Sequence, residues 1–231
     1  TLSAGVLRVN STGALGTGAL TQVDGTSTLQ VNAGGTITNN MSVYNVEFVN
    51  GGNTLSGTLT QNNTTYDVNA GETNNLDGFL TGSGGVTLIG GGQLNLTGTT
   101  NNYTGNTVIS NGTLQISTLT NSNTVSSIGV SNNITLAGAN ATNAVIDYTG
   151  GNVTTDRTFI LTNGGGTINM ASNTTNTLTG SASGTGTLIV GEGTLVLSNG
   201  TANSFAPGSI QVDSGATLQL AANDQIGNTT G

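Results

Sequence analysis

The sequence predicts an all-β fold built as a solenoid. Three observations carry that expectation: apolar and polar residues alternate in short runs, the runs break at Gly and Asn, and one phrase returns along the chain. Alternation sends successive side chains to opposite faces, so Leu, Val and Ile turn inward while Thr, Gln and Asn meet water. Gly and Asn tolerate left-handed backbone and suit the corners between runs. The apolar spacing that an amphipathic helix needs is absent, and Thr, Gly and Asn are poor helix formers. Pro207 is the only proline, which leaves nearly every backbone N–H available to a ladder.

The recurring phrase is Thr-Leu-Gln followed by Val, Ile or Leu, at Thr28–Val31, Thr113–Ile116 and Thr217–Leu220. Each copy closes a similar unit: an alternating strand, a polar loop, a second strand, a Gly-containing turn, then the phrase. "GVLRV" runs on to "TLQV", "GQLNL" to "TLQI", and "GTLVL" to "TLQL". The units lie near residues 5–31, 91–117 and 191–221. Tyr103 and Phe205 hold matching places ahead of Gly105 and Gly208, where they are expected to pack at a corner. Gly112, Thr113, Leu114 and Gln115 of the second unit, and Thr217, Leu218 and Gln219 of the third, form the structural repeat.

A β-sandwich would join sequential strands by tight hairpins. A solenoid stacks each strand on a counterpart one coil later and gives internal repeats. The repeated phrase and the irregular loops favour the solenoid. A coil of roughly 20–25 residues gives about ten coils and a rod near 50 Å long. Between the units, "NNMSVYNVEFVNGG" at residues 39–52 concentrates aromatic residues, and Tyr44 and Phe48 are the candidate ligand contacts if they are exposed. Residues 118–173 again read as short strands separated by Asn and Gly. No linker or composition shift interrupts the chain, so residues 1–231 are read as one solenoid segment.

Only 5% of the 231 residues are charged, against about 25% in ordinary soluble domains. Ten acidic residues face Arg8 and Arg157, with no lysine, for a formal net charge of −8. Such a surface argues against nucleic acid, which requires several cationic contacts, and against anionic lipid. Cysteine is absent, so no disulfide staples the fold and the redox compartment stays open. No apolar run is long enough to span a bilayer, and no signal peptide is visible. "TLSAGVLRVN" starts inside a strand-like pattern, and the end "LQLAANDQIGNTTG" joined to this start reads as an uninterrupted repeat. The expectation is therefore a slice of a longer array, without the polar caps an isolated solenoid needs.

Few residues offer chemistry. Asp67, Glu72 and Asp77 are spaced so that they could share one side of adjacent loops or coils, as acid/base catalysis requires. The reading preferred here is three solvated loop residues, since no His or Lys exists and the two arginines lie in different repeats. Asp156 and Arg157 are read as a structural pair stabilising a turn or an adjacent coil. A zinc site lacks His and Cys, and the Gly-Gly-x-Gly-x-Asp calcium signature is missing. The Gly-rich run at residues 81–92 lacks the Lys-Ser/Thr ending of a phosphate cradle. Thr-x-Thr triplets start at residues 36, 58, 118 and 177, too irregularly for an ice-binding array. No catalytic residue, metal or cofactor is assigned.

"GGVTLIGGGQLNLTGTTNNYTGNTVISNGTLQIS", residues 84–117, resembles the autotransporter-associated β-strand repeat. Tyr103, Thr104, Gly105, Thr107, Gly112, Thr113, Leu114 and Gln115 carry the likeness. Residues 147–199, with their Thr-Asp-Arg and Gly-Gly-Thr-Ile, resemble the segment that often follows in such proteins. The resemblance implies a right-handed parallel β-helix in the passenger of a Gram-negative surface protein, exported through a C-terminal outer-membrane barrel. It implies an extracellular or outer-membrane location. The expected function is non-enzymatic: an adhesin or adhesin stalk that meets a host-cell or matrix ligand. The alternative is a filament, matrix or biofilm protein whose partner is another copy of itself.

Overall fold

The structure is a computed structural model that describes residues 1–201, 204–221, 223 and 225–227. The described residues contain no helix, and every pairing between strands is parallel. The chain winds through about ten coils of a β-solenoid. A parallel neighbour cannot be reached by a tight hairpin. Each strand therefore pairs with the strand reached after one circuit, as Val86 does with Thr107 and Leu94 with Leu114.

The first sheet has 12 strands. Its main path runs through Gly5–Val9, Ser27–Val31, Met41–Phe48, Leu59–Val68, Val86–Ile89, Thr107–Ile109, Asn133–Leu136, Thr158–Leu161, Ala182–Gly184 and Phe205–Ala206. The second sheet has 9 strands, from Thr36–Ile37 through Gln93–Leu96 and Gly112–Ile116 to Ser209–Val212. A third sheet of 4 strands serves the later coils: Val153–Thr155, Thr175–Leu178, Thr194–Leu197 and Thr217–Leu220. In the early coils that side is closed by a narrower ribbon. Leu20–Thr21 pairs with the beginning of Met41–Phe48, this with the beginning of Leu59–Val68, and this with Leu80–Thr81.

Alternation builds the core as ladders of like residues. On the first sheet Leu29, Val46, Tyr66, Leu88, Ile109, Leu136 and Leu161 stack in unbroken register, and all are buried. On the second, Leu94, Leu114, Ile146, Ile168 and Val190 do the same. Each fully buried aliphatic contributes about 2 kcal/mol from the area it hides.

The three Thr-Leu-Gln phrases do not stack on one another. Leu29 lies on the first sheet, Leu114 on the second and Leu218 on the third. Each phrase sits instead on the opening strand of its own unit: Leu29 on Leu7, Leu114 on Leu94, Leu218 on Leu195. The unit fixes the register of one coil upon the next and leaves the face open. Any face suits it, because each requires only an inward Leu between outward Thr and Gln.

One irregularity matters for the surface. Register shifts between Val43 and Asn45, where the single residue Tyr44 of strand Met41–Phe48 lies opposite three residues, 62–64, of strand Leu59–Val68 as both pass from the ribbon to the first sheet. The backbone groups freed by the shift are taken up by buried Gln22. Its Oε1 accepts from the Tyr44 N–H at 2.8 Å, and its Nε2 donates to the Asn45 and Ser27 carbonyls at 3.1 and 3.0 Å. A buried backbone group left without such a partner would cost about 1–3 kcal/mol.

Candidate functional site

The register shift settles the two candidate aromatics. Four residues apart on a regular strand, Tyr44 and Phe48 would share a face, but at the register shift Tyr44 and Asn45 both lie off the core, which reverses the parity between them. Tyr44 points outward and is half-buried. Phe48 points inward, is fully buried and stacks on Tyr66 with ring centroids 6.4 Å apart. Phe48 is thus corrected from ligand contact to core residue. The exposed aromatic that sequence reasoning missed is Phe79, 40% exposed on the ribbon just before Leu80. Its signal was the apolar pair Phe79–Leu80, since strict alternation buries only one of two adjacent residues.

The acidic trio does not converge. Asp67 lies on the first sheet, Glu72 in the following turn and Asp77 just after the second-sheet strand Thr73–Leu76. They occupy successive segments of one coil as it rounds a corner. Asp77 accepts a hydrogen bond from the Thr97 hydroxyl at 2.5 Å. The neighbour of Asp67 in the ladder is Glu47, one coil below. Glu47 in turn continues an outward row through Gln30 to Arg8. Arg8 Nε donates to Gln30 Oε1 at 2.9 Å, and Gln30 Nε2 donates to Glu47 Oε2 at 2.7 Å. Partial burial, and then the Glu47 charge, raise the Asp67 carboxyl above its ordinary value. Among the described residues no three His, Cys, Asp or Glu side chains gather in metal-binding geometry.

Asp156 and Arg157 also take roles other than pairing with each other. Both grip the insertion at residues 117–132, which lengthens one coil. Asp156 Oδ1 accepts from the Ser122 N–H at 2.6 Å and Oδ2 from its hydroxyl at 3.1 Å. Arg157 turns inward and is fully buried. Its guanidinium donates to the carbonyls of Thr120 and Gly129 at 2.8 Å each, to Ser126 Oγ at 3.2 Å, and to the Ser131 carbonyl. Burial lowers its pKa, opposed by Tyr103 and Asp156. This is a scaffold for a loop, held by carbonyl dipoles in place of a carboxylate.

The repeat residues occupy the corners and ladders. Tyr103 and Phe205 are fully buried, and the Tyr103 hydroxyl shares a hydrogen bond with Thr107 Oγ1 at 2.8 Å. A Cβ on Gly105 would overlap the backbone of Gly85, and one on Gly208 the carbonyl of Thr185. Gly112 adopts φ 113°, which favours glycine. Thr113 and Gln115 flank buried Leu114 on the surface, and Gln115 Nε2 donates to Asp147 Oδ2 at 2.9 Å. Thr217 and Gln219 are exposed around half-buried Leu218. The Thr-x-Thr triplets are scattered over different sides of the rod: Thr36 on the second sheet, Thr58 on the ribbon, Thr177 on the third sheet.

What these residues make is a parallel rod with loops at its corners. The passenger-associated-transport-repeat matches the chain twice, at residues 86–116 and 190–220. The chain is accordingly a β-solenoid with repeats of the autotransporter-passenger type, and that repeat is one of secreted or outer-membrane surface proteins. No curated protein and no solved structure matches it. The two matched copies are set into the rod one face apart. The first runs through Gln93–Leu96 and Gly112–Ile116 of the second sheet, and the second through Thr194–Leu197 and Thr217–Leu220 of the third.

Proposed function

We propose that this chain is a non-enzymatic adhesive segment, an adhesin or adhesin stalk, which displays binding surface along a rod on the bacterial exterior. The observation that carries the reading is the distribution of its polar groups. They form ladders running along the axis, such as Asn75, Asn95 and Gln115 on the second sheet, and do not converge on one bond. Convergence is what acid/base or nucleophilic catalysis needs. An axial ladder suits an extended partner contacted at many weak points, whose summed strength grows with each coil engaged.

Beads coated with the folded chain test this against cultured host cells and matrix-coated surfaces, beside beads carrying an inert protein of equal charge. Adhesion above the control, with no release of reducing ends from polysaccharides, is the expected result. Beads that clump together without holding cells would replace this reading with a self-associating filament.

A further inference from the structure

The ribbon that closes the early coils differs from the sheets. Leu20 N donates to Asn40 O, Met41 N to Thr58 O and Leu59 N to Phe79 O, at 3.0, 2.8 and 2.9 Å. These equivalent bonds place Asn40, Thr58 and Phe79 in one outward row. The next row is Thr21, Ser42, Thr60 and Thr81, in continuous register across four coils. Beyond it, Tyr44 follows Ser42 on the outer surface. Between the first two rows runs a groove of about 280 Å³, walled by Asn40 and Thr58 on one side and Thr21, Ser42 and Thr60 on the other. Phe79 stands at the head of the row that forms one wall.

Three properties of this groove restrict its occupant. It carries no charged side chain across residues 19–23, 40–44, 58–62 and 79–83. That is the complement of an uncharged ligand, and it excludes one held by ion pairs. Its hydrogen-bonding groups are hydroxyls and amides in rows about 4.8 Å apart. Two of these are already positioned: Asn62 Nδ2 donates to Ser42 Oγ at 2.9 Å, and Asn40 Oδ1 accepts from the Thr58 N–H at 2.8 Å. Aromatic rings lie at opposite corners, Phe79 at one and Tyr44 at the other. Two coils along the axis and four residues along the strand separate the rings, a diagonal of about 16 Å. Phe79 is also held in place from behind. A Cβ on Gly78 would overlap the Gly57 carbonyl, so the backbone on which Phe79 rides is pressed against the coil below.

We propose that this ribbon is a binding face for a neutral oligosaccharide, a chain of several sugar units. A pyranose presents an apolar C–H face, which suits an aromatic ring, and a rim of hydroxyls, which suits Thr, Ser and Asn. The span between the rings fits an oligosaccharide in place of a single sugar. The proposal rests on the adhesive reading above and names the ligand class and the surface.

Affinity electrophoresis of the full chain in gels containing mannan, galactomannan, xyloglucan or mixed-linkage β-glucan tests it. At least one polysaccharide is expected to retard the protein, equally at low and high salt. Phe79→Ala should weaken retardation at least tenfold, and Tyr44→Ala and Thr60→Val should weaken it less. Val125→Ala, at an exposed position of the insertion at residues 117–132, should match the parent. Matching melting curves for the parent and Phe79→Ala confirm that folding is not the cause. No retardation in any of the gels, retardation that Phe79→Ala leaves unchanged, or retardation abolished by salt would each overturn the proposal. Cell adhesion of coated beads separates the two readings. Beads that hold cells equally with the parent and Phe79→Ala chains leave adhesion standing and overturn the glycan face. Beads that hold no cells, beside gels that still retard, leave the glycan face standing and overturn adhesion.

Discussion

Arg157 Nη2 donates to the carbonyl oxygen of Gly129 at 2.8 Å, and none of the guanidinium's hydrogen bonds goes to a carboxylate. The guanidinium suits this position because its donors radiate in a fixed plane and reach several carbonyls at once. An ammonium has three donors on a flexible stem and cannot reproduce that fan. Arg157→Lys and Arg157→Met should therefore both destabilise the chain, by about 3 kcal/mol. The damage should be local, since in a repeat protein each coil touches only its neighbours. Hydrogen exchange checks this: protection should fall across residues 117–132 and stay at the parent level around Leu29 and Val46.

Protease mapping gives an independent test of the same burial. The chain has 2 Lys and Arg residues in all; Arg8 is exposed and Arg157 is enclosed. Trypsin should cut the folded chain after Arg8 at most, and the urea-unfolded chain after both. Mass spectrometry of the digest reads the result. The Arg157→Lys variant, with its loop loosened, should become cleavable at position 157 without denaturant.

Asp67 supplies a pH dependence. Its folded pKa is raised, chiefly by burial and then by Glu47. At neutral pH the ionised carboxylate therefore opposes folding, and this opposition fades as pH falls through the raised folded value. It is gone once pH lies below the ordinary unfolded value near about 4. Asp67→Asn should raise the melting temperature at pH 7, with the gain shrinking to nothing by about pH 3. A gain that grows on acidification would contradict the assignment.

Phe48 and Phe79 should behave oppositely. Phe48→Ala opens a cavity beside Tyr66 and should cost about 3–5 kcal/mol. Phe79→Ala removes a ring that is already 40% exposed and should cost no more than about 1 kcal/mol. Denaturant titration of the two variants decides between these roles.

How legible these features were depended on their distance along the chain. Leu-x-Leu alternation is local, so the inward rows and the all-β fold can be read residue by residue. Stacking is not local. Glu47 meets Asp67, and Arg157 meets Thr120, only through registers that span a whole coil or more. The length of each coil depends on its corners and on the insertion at residues 117–132. The same limit hid the rotation of the two repeat copies: Thr113 and Thr217 hold one place in the phrase and lie on different sheets. For Tyr44 and Phe48 the spacing was visible, but the register shift between them was not. It depends on buried Gln22, far back in the chain, to accept the Tyr44 N–H.

The most direct test of the architecture uses the absence of cysteine. Gln93 and Thr113 are register partners on adjacent coils. Parallel neighbours stand about 4.8 Å apart, within the range of about 4.4–6.8 Å between Cα atoms that a disulfide spans. Under mild oxidation the Gln93→Cys, Thr113→Cys double variant should close a disulfide in the folded monomer. The Thr113→Cys, Thr217→Cys variant, which joins matching positions of two phrases, should stay reduced. A disulfide in the second variant and none in the first would contradict the coil-on-coil stacking that builds the rod.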